Sequence, residues 1–109
     1  MRQPPATPAR YAWIIDAVGP DSGLDQDEIG TTGPSNAPDE LIHQLEIDRD
    51  AGRNFRIYDD DGILYYEGRI LLPDDPDEQE EFGPLWDWGA PNAGATELQC
   101  LRDGRYVRL

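Results

Sequence analysis

Lysine is missing from the chain, and cysteine, histidine and methionine occur once each. With Cys100 alone, no intramolecular disulfide can form. With His43 as the one imidazole, a zinc site or a histidine acid–base pair lacks its usual members. No stretch reaches the roughly 20 apolar residues of a membrane-spanning helix. The first ten residues are rich in proline, and the apolar run 12–15 stops at Asp16. That run is short of the about 7–15 apolar residues of a signal-peptide core. A cytoplasmic protein is expected, and the lone thiol suits a reducing compartment.

Positive charge is scarce. Nine arginines face 23 acidic residues, giving a formal net charge of -14 over 109 residues. Nucleic acid and anionic membranes both demand positive potential, so direct binding to either is excluded. No nucleotide-binding glycine loop, nucleophile elbow or zinc signature is present.

The residues that are present fit one small domain. Residues 1–10 read as a flexible, polyproline-like arm and residues 11–109 as a single α+β domain. Residues 11–18 are aromatic and β-branched, as a strand requires. Residues 19–37 carry Gly, Pro, Asp, Ser and Asn at loop density. Pro38-Asp39-Glu40 opens the one good helix. In it Leu41, Ile42 and Leu45 share an apolar face, and Gly52 is the expected C-terminal cap. Ile47 falls off that face, so the helix either touches protein on two sides or ends early.

Two Asp-Gly turns, Asp61-Gly62 and Asp103-Gly104, each sit between β-formers and predict hairpins. The strand after the first turn is apolar on both faces, which suggests a central position. Residues 73–81 hold six acids and no base, the pattern of a solvated loop. Phe82 to Asn92 reads as an irregular segment pinned by aromatics. The sum is a twisted, mainly antiparallel sheet of about five strands with one packed helix.

Candidate sites are few. Asp59-Asp60-Asp61-Gly62 invites a calcium reading, but placing Gly62 at position 6 of a calcium loop puts Ile57 at position 1 and Gly68 at position 12. Neither is a side-chain ligand, and hairpin-turn chemistry explains the run better. Asp21, Asp25, Asp27 and Glu28 lack the glycine and the closing glutamate of such a loop and read as solvated. Cys100 has no neighbouring base and reads as a small core residue. Glu67 sits in an apolar strand, and an ion pair with Arg56 or Arg69 is favoured over a hydrolytic role. No cofactor and no catalytic residue is expected.

The acids themselves are the remaining feature. Between Asp16 and Asp87 there are 21 acids and four arginines, a net of -17. Such a field attracts cationic surfaces and speeds encounter with them. The leading expectation is a binding module for a basic protein surface, in the form of a DNA mimic that occupies another protein's nucleic-acid groove. Its contacts would be Asp39, Glu46 and Asp50 on the helix, Asp59, Asp60 and Asp61 in the turn, and Asp74, Asp75, Asp77, Glu78, Glu80 and Glu81 in the acidic run. Trp86 and Trp88 complete the set, because tryptophan is enriched at binding hot spots. Both are also residues that a small domain uses to cover its core, and that role is favoured over an interface. The alternatives are an acidic module that binds calcium or magnesium, and acidity that serves only solubility or a high-salt host.

Several runs resemble small acidic proteins that recur in high-GC actinobacteria and their mobile elements. They include Trp13-Ile14-Ile15, Thr32-Gly33-Pro34, Phe55-Arg56-Ile57-Tyr58-Asp59-Asp60-Asp61-Gly62, Tyr65-Tyr66-Glu67-Gly68, Phe82-Gly83-Pro84-Leu85 and Pro91-Asn92-Ala93-Gly94. The acidic run 73–81 and the Trp-Asp-Trp segment depart from that pattern. The resemblance implies no activity and no site residue, and it points to coding bias for the missing lysine.

Overall fold

A computed structural model describes residues 8–109. The expectation of a flexible arm falls mostly on residues 1–7, outside the described residues. The chain forms strand β1 (Ala12–Val18), a 3₁₀ turn (Gln26–Glu28), β2 (Thr32–Gly33), helix α1 (Asp39–Ile47), β3 (Arg53–Tyr58) and β4 (Leu64–Leu71). Helix α2 (Glu78–Glu81), a π-helical turn (Pro84–Gly89), α3 (Ala90–Ala93), β5 (Glu97–Arg102) and β6 (Arg105–Arg108) follow. The fold is α+β. One antiparallel six-stranded sheet runs in the order β2-β1-β4-β3-β5-β6. The sixth strand is the two-residue β2, hidden from sequence reading inside the 19–37 loop.

The period-2 pattern of the strands sends side chains to two separate cores. Trp13, Ile15, Phe55, Ile57, Tyr66, Ile70, Leu98 and Cys100 pack under the helical segment that carries Leu85 and Trp88. Ala12, Ile14 and Leu71 meet Leu41, Ile42 and Leu45 of α1 on the opposite face. The second hairpin strand, β4, is central, as its double-sided apolarity implies.

Two local expectations differ from the structure. Helix α1 stops at Ile47, which is 69% exposed, with Asp48 rather than Gly52 at its C-terminal cap. The helix ends early because Arg69 takes over its carbonyls. The buried guanidinium donates to Leu45 O at 3.0 Å, Asp48 O at 2.6 Å and Ala51 O at 3.3 Å, and it pairs with Asp16 at 2.7 Å. Its partner is therefore Asp16, and Glu67 pairs with Arg56 at 3.2 Å.

Residues 78–93 are helical turns, not an acidic loop followed by an irregular segment. The Asp77 carboxylate accepts from Glu80 N while Glu80 accepts from Asp77 N, a reciprocal cap that starts α2. Pro84 opens the π-helical turn, and Gly94 closes α3 with φ 72°.

Candidate functional site

The acids of the hairpin apex and those of the 73–81 run lie at opposite ends of β4. The β3–β4 hairpin apex, Asp59 to Gly62, lies where β4 begins, and residues 73–81 leave where β4 ends. The eight residues of β4, at about 3.3 Å each, separate them by about 25 Å. The expected set is therefore not one patch. At the apex, Asp59 Oδ1 accepts from the amides of Asp61 (2.9 Å) and Ile63 (2.8 Å), and Gly62 takes φ 79°. One carboxylate oxygen from each of Asp59, Asp60 and Asp61 lies within 4.8 Å of the others.

The other group is larger. Asp39, Glu40 and Glu46 are exposed on α1. The turn that follows α1 carries exposed Asp48 and Asp50, and Gly52 and Asp74 line the same groove of about 440 Å³. Asp75, Asp77 and Glu78 follow Asp74 along the chain and are exposed. Of these acids only Asp75 meets a guanidinium among the described residues, that of Arg10 at 3.2 Å.

Two acids expected in the row are committed to the fold. Glu80 is only 7% exposed and takes two bonds from Arg10, at 2.9 and 2.6 Å. That guanidinium, helped by the Asp77 amide, holds the Glu80 carboxyl below its ordinary pKa. Burial and pairing remove it from any partner's reach. Glu81 faces Arg102 at 3.8 Å.

The tryptophans divide as well. Trp86 is 48% exposed and stacks on Phe82 with centroids 4.8 Å apart. Trp88 turns inward against Trp13 (6.2 Å) and Tyr66 (6.1 Å). A helical spacing makes this division, not strand alternation, and Trp88 is a wall rather than a projecting contact. Its Nε1 is buried beside the Tyr66 hydroxyl without a well-formed hydrogen bond.

Beneath the helical turns lie two polar clusters that the sequence does not reveal. The Tyr66 hydroxyl donates to Glu28 Oε2 at 2.6 Å, and Asn92 reaches both groups. Burial, reinforced by Glu28, pushes the Tyr66 phenol up to about 12. This contact pins the 19–37 loop to the sheet. Asp87 Oδ2 accepts from the Tyr11 hydroxyl at 2.6 Å and from Trp13 Nε1 at 3.2 Å. Burial first, then Asp87, raises the Tyr11 phenol well above its usual range.

Cys100 is buried, and burial pushes its thiol up, which suits a core residue. His43 is exposed on α1. No helix among the described residues is long and apolar enough to cross a membrane. No protein-family description matches the chain, and neither a curated protein nor a solved structure is similar to it.

Proposed function

We propose that the chain is a binding module without catalytic chemistry, and that it engages a basic protein surface of the kind that nucleic-acid-binding proteins present. The observation that carries this reading is the row on α1 and residues 74–78, where Asp39, Glu40, Glu46, Asp50, Asp74, Asp77 and Glu78 are exposed and, among the described residues, meet no guanidinium within 4.0 Å. Exposed carboxylates without an ion-pair partner among the described residues mimic phosphates in charge, if not in geometry. Their mutual repulsion is relieved when a cationic surface covers them.

The test is capture from host lysate at low salt on the immobilised chain. A DNA- or RNA-binding protein should be recovered and released by added duplex. The combined variant Asp39→Asn, Glu46→Gln, Asp50→Asn, Asp74→Asn, Glu78→Gln should lose it, whereas Asp60→Asn with Asp61→Asn should retain it. Equal loss in both variants would mean that only overall charge matters, and acidity for solubility would be the better account.

A second reading rests on the close carboxylates of the apex, 59–61. A hard cation such as calcium takes oxygen ligands of this kind. Calorimetry with calcium should then give a heat that disappears in Asp60→Asn with Asp61→Asn. A flat titration removes it.

A further inference from the structure

A cleft of about 320 Å³ opens between β2 and the π-helical turn, lined by Trp13, Thr32, Gly33, Ser35, Asp87 and Trp88 among others. That volume is at the small end of the range for sites that enclose a ligand group. We infer that this cleft seats one arginine side chain of the basic partner, with Asp87 as the counter-ion and the indoles of Trp13 and Trp88 as walls. The inference rests on the proposed engagement of a basic surface and names its anchor.

Charge selects the occupant. The clefts around residues 52–54, 67–74 and 45–49 are each lined by the protein's own Arg49, Arg53 or Arg69. This one holds a carboxylate and, among the described residues, no guanidinium. A cleft of that kind on a chain of net charge -14 sits in negative potential and favours a cation.

The carboxylate is also held in place. Both donors to Asp87, Tyr11 Oη and Trp13 Nε1, bond to Oδ2. Its other oxygen, Oδ1, accepts no hydrogen bond among the described residues, and the residue is exposed. Two donors from the sheet thus orient the group, and one oxygen stays open to a third.

The walls favour a planar cation. Trp13 and Trp88 meet at 45° with centroids 6.2 Å apart. β2 crosses the Trp13 indole so closely that a Cβ at Gly33 would stand 2.3 Å from the ring. Only glycine allows that approach, and it lets backbone form one side of the cleft. An indole attracts cations through its negative face. A guanidinium is planar, weakly hydrated and has five N–H donors, so it stacks on the half-buried Trp88 indole, with the buried edge of Trp13 behind it, and still reaches Asp87 and the hydroxyls of Thr32 and Ser35. Asp39 and Glu40 follow four and five residues after Ser35, so the cleft adjoins the start of the acidic row.

The probe is N-acetyl-arginine-N-methylamide titrated into the full chain, read from the three indole N–H cross-peaks in a nitrogen–proton NMR spectrum. The Trp13 and Trp88 peaks should move together and saturate in the millimolar range, while Trp86 stays. The citrulline counterpart, neutral and nearly isosteric, should bind at least tenfold more weakly. Asp87→Asn should weaken the arginine probe by a similar factor. Because that change also touches Tyr11 and Trp13, Ser35→Arg at the exposed rim supplies a second variant. Its own guanidinium should fill the cleft and abolish probe binding in a folded protein. Equal binding of citrulline, or shifts confined to Trp86, overturns the inference.

Failure here and failure of the wider reading are distinguishable. If DNA-competed partner capture persists undiminished in Asp87→Asn and Ser35→Arg, the cleft is no anchor and the acidic row alone does the binding. If the probe binds in an Asp87-dependent way but no basic partner is captured, the guanidinium seat stands and the partner reading falls.

Discussion

Asp59 and Asp87 are the same residue in two different employments. The Asp59 carboxylate bonds to amides two and four residues ahead, inside its own turn. The Asp87 carboxylate bonds to side chains 74 and 76 residues away, on and just before β1. The first arrangement satisfies the oxygen that shapes the hairpin apex and is complete in itself. The second uses the core to aim a group whose remaining oxygen accepts no hydrogen bond among the described residues. Short-range polar contacts therefore build the backbone here, and long-range ones position chemistry or lock layers together.

The difference can be pushed furthest at Arg69, a buried group that makes five long-range hydrogen bonds. It ties β4 to β1 through Asp16 and to the last carbonyls of α1, and Asp16 above all raises its pKa. Replacing it with Met removes the charge, strands those carbonyls and leaves Asp16 unpaired. A loss of about 3 kcal/mol is expected, at the lower end for breaking a buried pair, because Asp16 keeps some contact with water. Urea denaturation with an unchanged m-value measures it. A loss of a few tenths would show that long-range bonds are no stronger than local ones.

Asp87→Ala comes next, at about 2 kcal/mol, since it leaves the Tyr11 hydroxyl and Trp13 indole without their acceptor. Repeating the change in a Tyr11→Phe background should recover part of the loss, and a double-mutant cycle measures the coupling. Asp59→Ala is expected to cost about 1 kcal/mol, the usual scale for losing a side-chain cap on backbone amides. Its effect should stay local, seen as faster amide exchange at Asp61 and Ile63 while the rest of β4 remains protected. Exchange that spreads evenly across the sheet would erase the distinction between the two aspartates.

The same division explains what could be read from the sequence. The Asp-Gly hairpin, the central β4 and the apolar face of α1 depend on neighbours within a few residues, and all three were legible. The early end of α1 was not, because Gly52 is a plausible local cap and the actual agent, Arg69, arrives from β4. The helical turns after Glu78 were obscured by an acidic run whose composition signals a loop. The Asp77–Glu80 capping box was the signal present in the letters that could have shown the start of α2. Trp86 and Trp88 could be named as contact candidates, but only helical spacing shows that one projects and the other turns inward. Asp87 carried no sequence signal, since both its donors come from the far end of the chain.

Glu80 supplies the smallest effect and the one with a definite sign in pH. Arg10 above all lowers its pKa in the folded state, so folding favours the ionised form. The stability from this pairing is fully present above the unfolded glutamate value of about 4.3 and is lost as pH falls through the lower folded value. Glu80→Gln keeps the shape and an acceptor for Arg10 but has no charge to titrate. The variant should be less stable than the parent near pH 7, and the gap should close as the solution is acidified below about 4. The remaining carboxylates lose their mutual repulsion over the same acid range in both proteins, so that common effect cancels in the difference between the two curves. Thermal midpoints measured for both proteins from pH 7 to pH 3 give that difference directly. A gap that stayed constant, or widened in acid, would mean that the contact between Arg10 and Glu80 works through packing and not through charge.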